Sequence, residues 1–398
     1  MRFEKLGQIV EQIRGVSYSS DQVSKESKKG YVPLLRANAI DNGKINYEDL
    51  VFVPTDIVRD KQFLLPGDIL IATSSGSLSV VGKAAQVVNN DKLTFGAFCK
   101  VLRPSNAVDK NYFAHFFKTN FYANYIQKCA EGANINNLKN EHFDNLTIPL
   151  PTMKEQMQIA TVLDKAQSNI DKRKQAIAKL DELIQAVFLD MFGDPVTNSK
   201  NLITISLGEL GEWKSGGTPS RGNKEYFKGN IPWYTSGELN DLYVNGSIEY
   251  ITEAALKETS TKEVPIGALL LGMYDTAALK SSITTKRSSC NQAIAFAKIN
   301  ESLAETKYVY YAVQLGKEHY KSIQRGVRQK NLNLSMIKAI KILYPSLKLQ
   351  KDFVRIADII YLKKQQMKLQ LQHLESNFQA LLQKAFKGEL KVKDGVEV

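Results

Sequence analysis

A glycine-rich stretch at residues 76–83, GSLSVVGK, is the part of the sequence that most resembles a phosphate-binding loop. Such a loop follows the pattern G-x-x-x-x-G-K-[ST], in which the final hydroxyl binds Mg²⁺. Here five residues separate Gly76 from Gly82, and Ala84 follows Lys83 where the hydroxyl is required. We therefore predict a turn between strands and no nucleotide site.

Other catalytic patterns are also missing from the sequence. The four histidines, His115, His142, His319 and His373, lack the companions of a zinc site. There is no G-x-S-x-G nucleophile elbow. There is also no Gly-rich loop placed to hold S-adenosylmethionine and no Asn/Asp-Pro-Pro-aromatic tetrapeptide of amino-methyltransferases. The residues of an Asp…Glu-x-Lys nuclease cluster have no fixed spacing, so the sequence offers no single pattern to test. No such cluster stands out in this chain. We expect no catalytic residue, no metal site and no cofactor in this chain.

Polar side chains suited to DNA are concentrated in the predicted loops. Asn, Gln and Arg can form paired hydrogen bonds with base edges, and Lys and Arg neutralise phosphates. Candidates in the first half of the chain are Arg36, Asn38, Ser74, Ser75, Ser77, Lys83, Asn134, Asn136, Asn137, Lys139 and Asn140. Candidates in the second half are Lys214, Ser215, Thr218, Ser220, Arg221, Lys286, Arg287, Asn291, Gln292, Arg325, Arg328, Gln329, Lys330, Asn331 and Asn333. The alternative for each is a solvated turn, where Asn and Ser are common.

The length, charge and cysteine content of the chain indicate its number of domains and its general class. A chain of 398 residues predicts two or more domains. The net charge of +12 is spread along the chain, and a moderate excess of this kind only weakly favours nucleic acid. The three widely spaced cysteines fit a reducing cytoplasm. No segment approaches the length of an apolar membrane span, and the N-terminus lacks the apolar core of a signal peptide.

The sequence repeats itself with a period of about half its length. GANINNLKNEHFDNLTIPLP at 132–151 is matched by GVRQKNLNLSMIKAIKILYP at 326–345. LPGDILIA around Gly67 is matched by VPIGALLLG around Gly267, and NYFAHFF at 111–117 by KYVYYAV at 307–313. The matches keep their order along the chain, which predicts two copies of one unit.

Each copy begins with short apolar runs separated by turn residues, which predict strands. The runs are ILIAT, AAQVV and FCKVL in the first copy, and ALLLGM and AIAFAKI in the second. A helix-like piece follows each set, YFAHFFKTNFYANYIQ and KYVYYAVQLGKEHYKS. We therefore predict two mixed α/β globules, an α+β fold class.

Each copy ends in a long helix with a period of about 3.5 residues, which is typical of coiled coils. The predicted seam positions are Ile159, Leu163, Ala166, Ile170, Ile177, Leu180 and Ile184, and Phe353, Ala357, Ile360, Met367, Leu371, Leu374 and Phe378. Pro151 and Pro345 precede the helices, and Gly193 and Gly388 follow them. Two separate amphipathic helices packed on separate cores are the alternative.

Chain connectivity favours antiparallel pairing of these helices, because a parallel pair needs a connection that runs back along their length. The predicted divisions are a first globule at 1–151, a first spacer helix at 152–194, a second globule at 195–345, a second spacer helix at 346–390, and a tail at 391–398. The two halves should be related by a pseudo-two-fold axis.

At this point the residues resemble a known family. Two globules joined by repeated long helices, each introduced by an apolar-Pro-x₄-Gln pattern (IPLPTMKEQ and ILYPSLKLQ), resemble the specificity subunit of type I restriction–modification systems. LPGDILI and WKSGGTPSR…IPWYTSGEL share this resemblance, which covers the whole chain. Leu349 departs from the pattern, since the first copy has Glu155 there.

The resemblance implies a non-catalytic subunit whose globules are target recognition domains. Each would read one half of a bipartite, non-palindromic DNA target, and the helices would set the gap. The implied partners are double-stranded DNA, two modification subunits that methylate adenine with S-adenosylmethionine, and restriction subunits that use ATP and Mg²⁺. A coiled-coil scaffold that binds only proteins, and a self-sufficient nuclease or methyltransferase, are the alternatives.

Overall fold

The computed structural model of the chain describes residues 2–41, 43–75, 77, 79–89, 91–131, 137–322 and 331–390. Several predicted sites lie outside these residues: Gly76, Asn134, Asn136, Arg325, Arg328, Gln329, Lys330 and the tail 391–398. The chain divides into a first unit of Met1–Gln175 with Leu369–Val398, and a second unit of Ala176–Lys368.

The strands described in the first unit are short. They are β1 Phe3–Lys5, β2 Val10–Arg14, β3 Tyr31–Leu35, β4 Ile40–Asp41, β5 Lys44–Ile45, β6 Val51–Pro54, β7 Ile69–Ala72, β8 Ala84–Gln86, β9 Thr94–Phe95, β10 Cys99–Pro104 and β11 Thr147–Pro149. The sheet orders are β2-β10-β7-β8, β6-β3-β9, β4-β5 and β1-β11. All pairings are antiparallel except that of β3 with β9.

The helices of the first unit follow these strands. They are α1 Leu6–Ile9, α2 Lys110–Phe116, α3 Asn120–Glu131, α4 Asn140–Asp144 and the start of α5 Met153–Phe192. The single helical piece predicted at 112–127 is two helices, because Thr119 Oγ1 accepts a hydrogen bond from the N–H of Tyr122 and caps a new helix. Helices α2, α3 and α4 share a buried apolar core with β7 and β10.

The second unit repeats this plan. Its strands are β12 Thr204–Ser206, β13 Lys214–Ser215, β14 Ile231–Tyr234, β15 Tyr243–Val244, β16 Glu249–Ile251, β17 Glu263–Val264, β18 Leu269–Gly272, β19 Ser281–Thr284, β20 Ser288–Cys290, β21 Ile294–Ala297 and β22 Lys341–Leu343. Its helices are α6 Leu207–Leu210, α7 Glu253–Glu258, α8 Thr306–Leu315, α9 Lys317–Lys321, α10 Leu334–Ala339 and the larger part of α11 Leu347–Lys387, whose end from Leu369 belongs to the first unit. The sheet orders are β13-β21-β18-β19-β15, β16-β14-β20-β17 and β12-β22.

Equivalent contacts recur in the two units. The hydroxyl of Tyr112 donates a hydrogen bond of 2.7 Å to the carbonyl of Pro149, and that of Tyr308 donates one of 2.8 Å to Leu343. Gly67, just before β7, has φ +100°, and Gly267, just before β18, has φ +74°. Glycine adopts this left-handed conformation without steric cost, which explains the repeated glycine. The predicted mixed globules and internal repeat are confirmed.

The long helices have well-defined ends. Thr152 and Glu155 form a capping box at the start of α5, with a hydrogen bond of 2.9 Å from the Thr152 N–H to the Glu155 carboxylate. These hydrogen bonds also lower the pKa of Glu155. Gly193 and Gly388, with φ of +79° and +78°, follow the last helical residues.

Within the second unit the two long helices run antiparallel. Asp181 of α5 accepts a hydrogen bond of 2.5 Å from Lys364 of α11, and Phe188 lies 5.4 Å from Phe353 between ring centroids. As the residue number rises along α5, that of its partner on α11 falls. Within the first unit, Arg173 donates a hydrogen bond of 2.6 Å to Gln370. The predicted antiparallel pairing is confirmed.

Candidate nucleic-acid interface

Two of the polar loops predicted from the sequence meet in the first unit. The turn after β7 and the chain leading into α4 form an antiparallel bridge between Ser74 and Asn137. Beside it, the N–H of Leu138 donates a hydrogen bond of 2.8 Å to the carbonyl of Thr73. Leu138 is buried in the core, which fixes the position of the polar residues on either side.

The same bridge occurs in the second unit between Tyr274 and Asn331, with a hydrogen bond of 2.7 Å from the N–H of Leu332 to the carbonyl of Met273. Tyr274 is 38% exposed. Tyr274 was not among the residues predicted from the sequence, although its place in the repeat is equivalent to that of Ser74. An exposed aromatic ring at this point is suited to stacking or apolar contact with bases.

The other predicted residues around the first bridge are exposed or half-buried. The hydroxyls of Ser77 and Ser79 lie 2.8 Å apart, and Ser75 Oγ accepts a hydrogen bond of 3.2 Å from the N–H of Ser77. Lys83 is exposed and has no carboxylate partner in the described part of the chain. Lys139 lies 3.5 Å from a carboxylate oxygen of Glu141.

Arg36 and Asn38 occupy a turn after β3 and share one acceptor. Both donate to the same carboxylate oxygen of Asp49, at 2.7 Å and 2.6 Å. This pairing fixes the turn. A DNA base or phosphate would therefore have to compete with Asp49 for both side chains.

Arg221 of the second unit is also engaged by a carboxylate of its own globule. Its guanidinium forms a two-pronged ion pair with Glu249 and stacks over the rings of Phe227, at 4.5 Å, and Trp233, at 5.1 Å. The hydrogen bonds to Glu249 raise the pKa of Arg221 and lower that of Glu249. The side chain therefore contributes to the packing of its own globule.

Arg287 lies between two carboxylates, those of Glu253 and Glu263, and these contacts raise its pKa. It lines a surface depression of about 340 Å³ together with Lys286 and Tyr250. Lys286 is exposed and has no carboxylate partner among the described residues. Of this neighbouring pair, the lysine is the better placed to neutralise a phosphate.

The remaining predicted residues of the second unit lie on a second stretch of its surface. The hydroxyl of Thr218 is hydrogen-bonded to Gln292, and Asn291 Oδ1 accepts a hydrogen bond of 3.1 Å from the N–H of Ala293. Lys214 pairs with Glu212 at 3.1 Å. Ser215 follows Lys214 on β13, Ser220 is exposed two residues after Thr218, and Asn333 caps α10.

A buried lysine lies on β10, the strand next to β7 in the sheet. Lys100 on β10 donates hydrogen bonds to Gln12, at 2.8 Å, and to Asn140 of α4, at 2.6 Å, and its ammonium lies 4.8 Å from the centre of the Phe143 ring. Burial lowers the pKa of Lys100 to about 8. Asn140 is therefore an internal contact that positions α4.

The predicted seam residues lie along the facing sides of the long helices, where each is buried or half-buried. Most of them belong to one of two apolar cores, one in each unit. The charged positions within the seam are paired, Arg173 with Gln370 and Lys364 with Asp181. Each globule is therefore packed on a two-helix segment within its own unit.

No group of His, Cys, Asp and Glu among the described residues could hold a metal ion. No helix in this part of the chain is long and apolar enough to cross a membrane.

The described residues therefore form a repeated globule with exposed polar loops and paired long helices. The family model for the type I restriction modification DNA specificity domain matches the chain twice, at residues 1–182 and 200–382. The chain belongs to this family, the non-catalytic specificity subunits of type I restriction–modification complexes. The prediction made from the sequence is confirmed, and the scaffold alternative receives no support.

Individual relatives agree. The chain is 31% identical over 401 residues to the type I restriction enzyme StySPI specificity subunit of Salmonella potsdam, covering 95% of this chain and 86% of that protein. It is 44% identical over 173 residues to the EcoKI specificity subunit of Escherichia coli K12, covering 44% of this chain and 37% of that protein.

Solved structures share the fold. A chain from a structure of a type I R-M system matches with a TM-score of 0.60 at 16% identity, covering 98% of both chains. The type I restriction–modification system S subunit of M. genitalium matches with a TM-score of 0.54 at 16% identity, covering 98% of this chain and 96% of that one.

Proposed function

We propose that the chain selects the DNA target of a type I restriction–modification complex by reading a bipartite, non-palindromic site. One globule reads each half of the target. Helices α5 and α11 set the unread gap between the halves and dock two modification subunits. The restriction subunits join that assembly in the cytoplasm.

The observation that supports this proposal is a repeated framework that carries unlike surface chemistry. The bridge in the first unit presents Ser74 and Asn137, whereas the bridge in the second presents Tyr274 and Asn331. Since base recognition depends on the side chains at such positions, two globules with one framework and different loops read different sequences.

The side chains at the start of α4 and of its counterpart α10, and on the strands near them, differ as well. The polar group of Gln12, Lys100 and Asn140 in the first unit is replaced in the second by Trp213, Ala295 and Leu334 at the equivalent strand and helix positions. Equivalent positions in the two globules therefore carry different chemistry.

The chemistry of the complex belongs to its other subunits. The modification subunits would bind S-adenosylmethionine and methylate adenine within each half-site, and the restriction subunits would use ATP and Mg²⁺. This chain would supply the DNA sequence preference and set the distance between the two globules that read the half-sites.

Exchange of one globule tests the proposal. Residues 1–151 are replaced by the corresponding segment of another specificity chain, and methylated adenines are mapped in a host that also carries the modification subunit. One half of the target should change, while the other half and the gap stay the same. The matched exchange of residues 195–345 should change the opposite half. An unchanged methylated sequence in both exchanges contradicts the proposal.

A further inference from the structure

The turn before β10 places an exposed aromatic ring beside the bridge of the first unit. Phe98 lies in this turn, which is closed by a hydrogen bond of 2.8 Å from the N–H of Cys99 to the carbonyl of Gly96. The carbonyl of Phe98 accepts hydrogen bonds of 2.9 Å from the N–H of Thr73 and of 3.2 Å from that of Ser74, a residue of the bridge. The backbone of Phe98 is therefore attached to the bridge, while its side chain is 68% exposed.

The second unit has the same turn with a different sequence. Ala293 takes the place of Phe98 there, since its carbonyl accepts the equivalent hydrogen bond, of 2.8 Å, from the N–H of Met273. Ala293 is buried and has no ring. The exposed aromatic side chain is instead Tyr274, which occupies the position of Ser74. Each bridge therefore has an exposed aromatic ring, supplied from a different position in the repeat.

The polar side chains show the complementary exchange. In the first unit Ser74 and Asn137 form the bridge, and the turn supplies the ring. In the second unit Tyr274 on the bridge supplies the ring, and the turn carries Asn291 and Gln292. A single exposed apolar side chain is common on any protein surface. An aromatic ring that recurs at the same place through an exchange of positions indicates a requirement shared by both globules.

The surroundings of the two rings favour DNA as the occupant. The amides of Asn137 in the first unit and of Asn291 and Gln292 in the second suit the edges of bases. An apolar protein surface packed on either ring would bury these amides, which is unfavourable unless each of them finds a partner. Phe98 and Tyr274 have only the aromatic ring in common, because phenylalanine has no hydrogen-bonding group. The shared contact is therefore stacking, which every base can provide.

We propose that Phe98 of the first globule and Tyr274 of the second each stack on a base of the half-site that their own globule reads. This inference rests on the proposed function, in which each globule reads one half of the target. It adds the residue of each globule that stacks on a base. Bases in an intact duplex are already stacked on one another, so each ring enters at an opened step. Such a step is available in each half, because an adenine leaves the stack before it is methylated.

Removal of each ring tests the inference in the assembled methyltransferase. Its affinity for a duplex that carries the mapped target is measured by fluorescence anisotropy. Phe98→Leu and Tyr274→Leu should each weaken binding by about 5- to 150-fold, because a base loses its stacking partner while the side chain stays apolar. Phe98→Tyr and Tyr274→Phe keep a ring and should bind within about twofold of the wild type.

Val88→Ser is the matched control for the first globule. Val88 is also 68% exposed, and it follows β8 at the end where Gln86 pairs with Ile69, the end of β7 away from the bridge. This variant should bind DNA like the wild type. Thermal melting of all the variants should match the wild type, since the changed side chains are exposed. Native mass spectrometry should show the same number of bound modification subunits in each.

An abasic scan identifies the stacked base. One nucleotide at a time is made abasic through both half-sites and the gap, and the effect of each leucine variant is measured on every duplex. At one position the variant should have no further effect, because removal of the base has already removed the stack. That position should lie in one half-site for Phe98→Leu and in the other half-site for Tyr274→Leu.

The outcomes separate this inference from the proposed function. Wild-type affinity in both leucine variants, or ring effects that add to those of every abasic substitution, overturns the inference and leaves the proposed function intact. The inference also fails if both rings couple to one half-site or to the gap, or if the leucine variants lose modification subunits while the DNA affinity of the remaining complex is unchanged. A wild-type complex that methylates DNA without sequence preference overturns both.

Discussion

The side-chain oxygen of Gln156 accepts a hydrogen bond of 2.9 Å from the backbone N–H of Asp109. Asp109 caps α2 of the globule, whereas Gln156 lies in the first turn of α5. The second unit repeats the contact between Gln350 and Glu305 at 3.0 Å. Both glutamines are buried and also donate to the carbonyl of the proline five residues earlier. Each globule is thereby tied to the helix that follows it.

Substitution of this glutamine should weaken the attachment of the globule to the long helix and lower the stability of the protein. Gln156→Ala leaves the buried N–H of Asp109 and the carbonyl of Pro151 without partners, so the free energy of unfolding should fall by about 1–3 kcal/mol. Gln350→Ala should lower the free energy of unfolding by a similar amount. Urea unfolding monitored by circular dichroism provides the measurement. The exposed Gln175→Ala serves as the control, and equal stability of all three variants would refute the role assigned to Gln156.

Lys100 makes stability depend on pH. Its folded pKa of about 8 lies below the ordinary value of 10.5, because burial penalises the charged form. Between those values the unfolded chain holds more protons, so stability rises with pH through this window. Below pH 8 the folded state carries the full cost of the buried charge.

The test compares the wild type with Lys100→Met from pH 7 to pH 10 by urea unfolding. The wild type should gain about 1–3 kcal/mol relative to the variant across this range. The other titratable groups are the same in both proteins, so the difference between their free energies of unfolding isolates the contribution of Lys100. A constant difference would show that Lys100 does not titrate in the folded protein.

The exposed lysines should carry the phosphate contacts. Lys83→Ala and Lys286→Ala should each lower the affinity of the assembled methyltransferase for all DNA sequences and reduce the slope of log affinity against log salt by about 0.9. Arg287→Ala should leave that slope unchanged, because Glu253 and Glu263 already neutralise the guanidinium. Fluorescence anisotropy at several salt concentrations measures the slopes. The reverse ranking, with Arg287 dominant, would contradict this assignment.

The length of the long helices should set the gap in the target. Insertion of one heptad after Gln175 and another after Lys368 lengthens both helices by about 10.5 Å, or about three base pairs of duplex. The half-sites should stay the same and the gap should grow by that amount, as read from methylated adenines. A heptad replaced by another of equal length and seam pattern is the control. An unchanged gap after the insertions would exclude a spacer role.

Much of the architecture could be predicted from the sequence because it rests on local and periodic signals. The heptad spacing identified helices at 152–194 and 346–390, and the structure has them at Met153–Phe192 and Leu347–Lys387. The ordered matches along the chain identified the repeat, and the apolar run before Pro151 forms strand β11. The glutamine of each apolar-Pro-x₄-Gln pattern could be identified in the sequence. Its hydrogen-bond partner, the residue that precedes α2 in the first unit or α8 in the second, could not.

The candidate interface was less predictable because its contacts join residues far apart in the sequence. Arg221 and Arg287 looked available to DNA until their carboxylate partners, 24 or more positions away, were known. Lys100 gave no signal, since it binds Gln12 across 88 positions. Composition marks which loops are polar, but the fold determines which of their side chains are already engaged.

Base-resolution mapping of methylated adenines in a host that carries this chain and its modification subunit tests the central claim most directly. The account predicts one target with two unlike half-sites, an unread gap of constant length, and a methylated adenine in each half. A continuous or palindromic target, or methylation that does not depend on this chain, would contradict it.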